Sequence, residues 1–134
     1  MDELVAMTVA EYGAPAFFAG YIDGQARDFF LLVQDLLKPE NFEETNGNAT
    51  ITKVPVGVAG LLTLWNGNPW FVCGKAASAL AAGCTVVIKP SELSTLEAQI
   101  LMECFEKAAL PPGVINVVNG PGTTCRSTTT RPRP

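Results

Sequence analysis

The apolar positions of this chain change period along its length, and each change marks an element. Between Asp2 and Tyr12, Leu4, Val5, Met7 and Val9 recur in a helical stretch that Gly13-Ala14-Pro15 breaks. From Ala16 to Leu37, Phe18, Ile22, Phe29, Leu32, Val33, Leu36 and Leu37 follow the three-four spacing of one buried helical face. Gly20 and Gly24 weaken its first half, and Lys38-Pro39 ends it. Glu40 to Gly47 is polar and reads as a connection. Asn48 to Val54 alternates in part, with Ala49, Ile51 and Lys53 on one side, which predicts a half-exposed strand.

Beyond Pro55 the runs become short and continuous. Gly57 to Thr63 is dense in Val, Leu and Gly and bounded by Pro and Asn, as a buried strand is. A turn at Trp65-Asn66-Gly67-Asn68-Pro69 leads into a small-residue helix, Trp70 to Ala82. Gly83 closes that helix at a position suited to left-handed backbone. Thr85 to Lys89 predicts a second buried strand. Ser94-x-x-Glu97 has capping-box spacing ahead of Ile100, Leu101, Cys104, Phe105 and Ala108, which starts a helix running to Ala108. Leu110-Pro111-Pro112-Gly113 stops it, and Ile115 to Val118 is a third strand. Crossovers of about a dozen or more residues imply parallel strands joined right-handedly. The fold class is therefore α/β: a partial Rossmann-like βαβαβ parallel sheet preceded by helices and one arm strand. Such a sheet is half of a doubly wound nucleotide-binding fold.

At 134 residues the chain makes one domain at most. Its net charge of −4 comes from carboxylates that all lie at or before Glu106, while the tail carries Arg126, Arg131 and Arg133. An acidic body argues against nucleic acid as a partner. No apolar run reaches the roughly 18 residues of a membrane span. No basic-headed apolar stretch opens the chain, so the expected compartment is cytoplasmic. Cys73, Cys84, Cys104 and Cys125 contain no CxxC pair and the chain has no histidine, so no metal site is expected. The missing histidine also removes the usual base for Ser-His or Cys-His catalysis. From Thr123 to Pro134 the pattern collapses into low complexity, which predicts disorder.

The candidate chemistry collects where the predicted strands end. Asn66 sits at the carboxyl mouth of the first parallel strand, where a side-chain amide can donate to a developing oxyanion. It also suits an ordinary turn asparagine. Lys89-Pro90-Ser91-Glu92 follows the second strand, at the edge where nucleotides bind in such sheets. A carboxylate there can accept from both ribose hydroxyls, and a lysine can contact the ribose or an added 2′-phosphate. The same pair also suits a solvated loop ion pair of little energetic consequence. Gly120-Pro121-Gly122 begins a GxG turn but lacks the third small position, and alone is a weak signal.

Taken together, PVGVAGLLTLWN, the Lys75 that follows, ALAAGCTVVIKPSE and LPPGVINVVNG resemble the coenzyme-binding domain of the aldehyde dehydrogenase superfamily. The resemblance covers most of Glu11 to Gly122. It implies an NAD or NADP cofactor, with NAD favoured by the charge of Glu92, and an aldehyde substrate oxidised through a cysteine thiohemiacetal. It implies that Asn66 donates to the thiohemiacetal oxygen and that Lys89, Ser91 and Glu92 meet the adenosine ribose. Leu62, Thr63, Leu64 and Trp65 then border the nicotinamide ribose, and Lys75 occupies a proton-relay position or is simply an exposed helix lysine. Leu64 stands where a proline is common in the family, and Gly67-Asn68 where an aromatic-Pro pair is frequent. The implied organisation is a helical segment 1–47, an oligomerisation-arm strand 48–55, a partial NAD(P)-binding domain 56–122 and a disordered tail 123–134. The arm strand's family partner comes from near the C-terminus, so here it is expected to be unpaired and to invite association with other chains. The family's nucleophile cysteine and base glutamate lie in motifs that this sequence does not contain, so the chain alone is expected to be inactive. The implied partners are further copies or full-length subunits. The alternative is a non-enzymatic interaction protein that pairs with such subunits through its arm.

Overall fold

A computed structural model describes residues 2–123. The expectation of disorder over 123–134 falls, but for Thr123, outside the described residues. In chain order the elements are α1 (Asp2–Tyr12), α2 (Ala16–Gln34), a 3-10 turn (Pro39–Asn41), β1 (Glu43–Asn46), β2 (Ala49–Thr52), β3 (Val58–Leu62), α3 (Asn68–Ala81), β4 (Thr85–Lys89), α4 (Thr95–Lys107) and β5 (Ile115–Val117).

The strands β3, β4 and β5 form one parallel sheet in that order. Parallel strands need long crossovers, and α3 and α4 supply them. Val86 and Ile88, at alternate positions of β4, are fully buried with Leu61 of β3 and Val72, Cys73 and Ala76 of α3. Leu101 of α4, Leu4 of α1 and Ala26 of α2 join the same cluster, so the N-terminal helices and the sheet share one core. Strand side chains alternate between faces, and the other face of β3 is open. Val58 and Leu62 are each 68% exposed, so β3 is buried on one face only, not throughout as its apolar run predicts.

The buried face of α2 differs in part from the expected one. Ala19, Ile22, Asp23 and Ala26 are buried, whereas Leu32, Leu36 and Leu37 are exposed. Small residues let α2 approach α3 closely. The Phe29 ring lies so near Gly74 of α3 that a Cβ there would stand 3.1 Å from Cε2. Of the expected stripe, Ile22 is buried and Phe29 and Val33 are half-buried, so its middle faces inward as expected, while the leucines towards the helix end stay exposed. The helix also stops at Gln34, three residues short of Leu37.

The stretch expected to be a polar connection contains β1. It pairs antiparallel with β2, Glu43 opposite Thr52 and Asn46 opposite Ala49, so the arm strand is not unpaired. Glu43-Glu44-Thr45-Asn46 is polar on both faces, which leaves no alternation to mark a strand. Lys53 N–H extends the ladder to Phe42 O at 2.8 Å. Every residue of β1 and β2 is exposed.

The expected capping box at α4 is replaced by a longer-range device. Ser94 makes no side-chain cap. Glu11, near the end of α1, accepts the N–H groups of Leu96 and Glu97 at 3.1 and 2.8 Å. A carboxylate there satisfies two orphan donors and complements the positive end of the helix. Gly83 does adopt the left-handed conformation (φ 80°), and a Cβ on it would come within 2.8 Å of Pro55 Cγ.

Candidate functional site

The exits of β3 and β4 lie side by side. Leu62 is registered against Lys89, and Thr63 N–H continues the ladder to Lys89 O at 3.2 Å. Two short segments leave from there: 63–67 towards α3, and 90–94 towards α4. These two segments and the strand ends carry every predicted site residue except Lys75.

Gly67 sits just before α3 at φ 72°, a left-handed position that a side chain would strain, and Pro69 occupies the first helical turn. This kink leaves Asn66 exposed at the sheet's carboxyl edge. Leu64 and Trp65 are also exposed, and the Trp65 ring stands edge-on to Tyr12 of α1 with centroids 5.5 Å apart. Thr63 is buried, and its hydroxyl donates to Asn68 Oδ1 at 2.8 Å. The Asn68 amide in turn donates to Ser94 O at 3.3 Å. Lys75, on α3, turns its ammonium to the carbonyl of Leu62. It is thus held against the end of β3, and among the described residues its other two donors meet no partner.

On the second exit, half-buried Lys89 donates to Pro90 O at 2.8 Å and lies 3.6 Å from the Glu92 carboxylate. Glu92 itself is exposed. Ser91 shapes the turn: its Oγ accepts Leu93 N–H at 3.2 Å, and its carbonyl accepts Ser94 N–H at 3.2 Å. The donor set fits a ribose. An exposed carboxylate has the acceptor sites for two vicinal hydroxyls, and the ammonium beside it has a third hydrogen to offer the same sugar.

Other features stand apart from this edge. A groove of about 800 Å³ runs between α2, α3 and α4, lined by apolar side chains such as Phe30, Leu80, Leu101 and Phe105. Cys73 lines it too, and burial pushes its thiol up to about 12, with Cys104 and Asp23 adding to the effect. A thiol so disfavoured as a thiolate is no nucleophile at neutral pH. Cys84 is also buried. Among the described residues, no group of three potential ligands could hold a metal ion. No described helix is long and apolar enough to cross a membrane.

Sequence reasoning passed over a buried acidic junction where α1, α2 and the start of α4 meet. Asp23 and Glu97 are both buried, and the Thr8 hydroxyl lies 3.3 and 3.4 Å from the two oxygens of Asp23. Both Glu97 oxygens lack a hydrogen-bond partner among the described residues. Desolvation raises Glu97 to about 7; the Thr8 hydroxyl, close by but bonded to Asp23, opposes the rise, and Glu11 and Asp23 add like-charge repulsion. Desolvation likewise raises Asp23 to about 6 against the lowering effect of Thr8. The helical spacing of Glu97 with Ala98 and Leu101 carried a signal that it faces inward; its charge masked that signal.

Comparison with known proteins places the chain in a family. The family model described as "Aldehyde dehydrogenase family" matches residues 1–133. A 3-succinoylsemialdehyde-pyridine dehydrogenase from a Pseudomonas species is 40% identical over 124 residues, covering 91% of this chain and 26% of its own length. The solved structure of an aldehyde dehydrogenase C mutant from Pseudomonas syringae, in complex with NAD+ and octanal, superposes with TM-score 0.84 at 40% identity, covering 90% of this chain and 25% of that one. A betaine aldehyde dehydrogenase mutant from Staphylococcus aureus, in complex with NAD+, gives TM-score 0.85 at 28% identity, covering 90% and 26%. The chain thus spans about a quarter of the length of these relatives. With a family match over nearly all its residues and the α/β sheet that those structures share, the chain belongs to the aldehyde dehydrogenase family.

Proposed function

We propose that this chain supplies the coenzyme-facing portion of an enzyme that oxidises an aldehyde to a carboxylic acid, with NAD as the preferred acceptor. One observation carries the reading: the Lys89–Glu92 pair and the Asn66 loop leave adjacent strands of a parallel sheet at the same edge. That is where open α/β sheets bind nucleotides. When bound, NAD supplies the hydride acceptor. Glu92 accepts hydrogen bonds from the adenosine ribose, Lys89 steadies the same sugar, and the Ser91 hydroxyl borders it. The negative charge of Glu92 opposes a 2′-phosphate and so favours NAD over NADP. Leu62, Thr63, Leu64 and Trp65 border the nicotinamide end. The Asn66 amide donates to the substrate oxygen as it gains charge. Lys75, held at the Leu62 carbonyl, stands close enough to the strand end to pass a proton there.

The 134 residues do not turn over aldehyde by themselves in this reading. Cys73 resists ionisation, Cys84 is buried, Cys104 is exposed but sits late in α4 on the groove rather than at the strand exits, and the sequence holds no histidine to act as base. The organisation into a helical segment 1–47, an arm 48–55 and a coenzyme portion 56–122 belongs to the same proposal. A second reading, pairing with full-length subunits or with further copies, is favoured by the fully exposed β1–β2 hairpin, whose outer edges offer free backbone groups.

The test is a pair of equilibrium titrations, with NAD and with NADP, followed by tryptophan fluorescence. Saturable quenching, tighter for NAD and weakened about tenfold in Glu92→Ala, is expected from the loss of a charge-assisted contact. Equal affinities in Glu92→Ala and the unaltered chain would remove Glu92 from the site. NADH formation by the purified chain with an aldehyde would overturn the claim of inactivity.

A further inference from the structure

The two segments of the coenzyme edge are not independent. Asn68 is fully buried, and both ends of its side-chain amide are hydrogen-bonded within the chain. Its oxygen accepts the Thr63 hydroxyl at 2.8 Å, and its amide nitrogen donates to Ser94 O at 3.3 Å. Ser94 is bound in turn to Ser91, N–H to carbonyl at 3.2 Å and Oγ to the same carbonyl at 3.5 Å. A continuous chain of hydrogen bonds therefore runs from the exit of β3, through one buried amide, to the turn that presents Ser91 and Glu92. Asn68 stands two residues beyond Asn66 and one beyond Gly67, so it also anchors the foot of the oxyanion loop. A buried amide meets its partners only when both are at the right distance, and satisfied buried networks fix geometry more than they add bulk stability.

We propose that Asn68 is a positioning residue that sets the spacing between the nicotinamide-end segment 63–67 and the ribose-end segment 89–94, so that a ligand spanning both feels its loss and a ligand touching one does not. This rests on the coenzyme reading above. Asn68 itself touches neither ligand; it acts through Thr63 on one side and Ser94 on the other. The amide is required in both roles at once, acceptor to a hydroxyl and donor to a carbonyl. Aspartate keeps the first and loses the second.

The experiment compares NAD, which spans both segments, with AMP, which reaches only the ribose segment. Binding of each is measured by calorimetry to the full chain and to Asn68→Ala, Asn68→Asp and Thr63→Val, with circular dichroism confirming the fold. In Asn68→Ala the NAD dissociation constant is expected to rise about tenfold, the scale of one buried hydrogen-bonding group left unmet, while AMP stays within about twofold. Asn68→Asp is expected to follow Asn68→Ala, and Thr63→Val to shift NAD in the same direction by less. Equal losses for NAD and AMP would reduce Asn68 to general structural support and overturn the proposal, as would unchanged NAD binding in the folded variants. If Asn68→Ala does not fold, Thr63→Val and Asn68→Asp decide the matter by the same NAD-to-AMP ratio. An unaltered chain that binds AMP but not NAD, or neither, overturns the coenzyme reading itself; normal NAD binding with insensitive variants overturns only the role of Asn68.

Discussion

Replacing Glu97 with glutamine probes the acidic junction, and its effect has a calculable sign. The carboxyl is 0% exposed and neither oxygen has a partner among the described residues. Its ordinary value of 4.5 rises to about 7 in the folded chain, chiefly because burial disfavours the charge. Between those two values the folded chain holds a proton that the unfolded chain has released. Stability therefore falls as pH rises from about 4.5 to about 7, and levels off above, where both states are ionised. The gap corresponds to about 3 kcal/mol, which in a chain of this size is on the order of 10 °C in Tm. Glutamine fills the same volume without the charge. It brings one unmet amide, which costs about 1–2 kcal/mol at every pH. The curves should therefore cross: Glu97→Gln is the less stable chain near pH 5 and the more stable by about 1–2 kcal/mol at pH 8. Asp23, raised to about 6 from an ordinary 3.8, adds a slope of the same sign in a lower window, common to both chains. Urea unfolding followed by circular dichroism from pH 4.5 to 8 reads the difference directly. Parallel curves with a constant offset would falsify the claim that burial raises Glu97 well above its ordinary value.

Two further substitutions test the packing that holds the site. Glu11→Ala removes the acceptor for two N–H groups at the start of α4, and should cost about 1–2 kcal/mol in urea unfolding, the scale of a lost helix cap; a cost no larger than that of a surface substitution would mean the contact is incidental. Gly83→Ala meets both the left-handed backbone and Pro55 Cγ at 2.8 Å, and should lower the denaturation midpoint by more than the 1 kcal/mol or so typical of such a backbone change alone; a neutral or stabilising result would refute the tight turn.

The parallel sheet was legible in the sequence because each of its strands is a short apolar run between turn residues, and each crossover is a helix of ordinary length. The placement of Asn66, Lys89, Ser91 and Glu92 at one edge was legible because strand ends in such a sheet converge there whatever the details of packing. What was not legible depended on partners distant in the chain. Glu11 caps α4 from 85 residues away, which no local spacing reveals. Glu97 looked like half of a capping box and is instead a buried acid. The face of α2 was read only in part, because buried Ala19 and Ala26 are too small, and buried Asp23 too polar, to leave a hydrophobic mark. β1 escaped notice because a strand exposed on both faces has no alternation to display. Asn68 looked like a turn residue, and only its bonds to Thr63 and Ser94 show that it joins the two halves of the edge.

The most direct measurement is a backbone amide chemical-shift map of the 134-residue chain titrated with NAD. Saturable shifts clustered in 62–67 and 89–94, with the groove between α2, α3 and α4 unmoved, are the expected result. Shifts confined to that groove, or none at all on a folded chain, would contradict the assignment of the coenzyme to the carboxyl edge of the sheet.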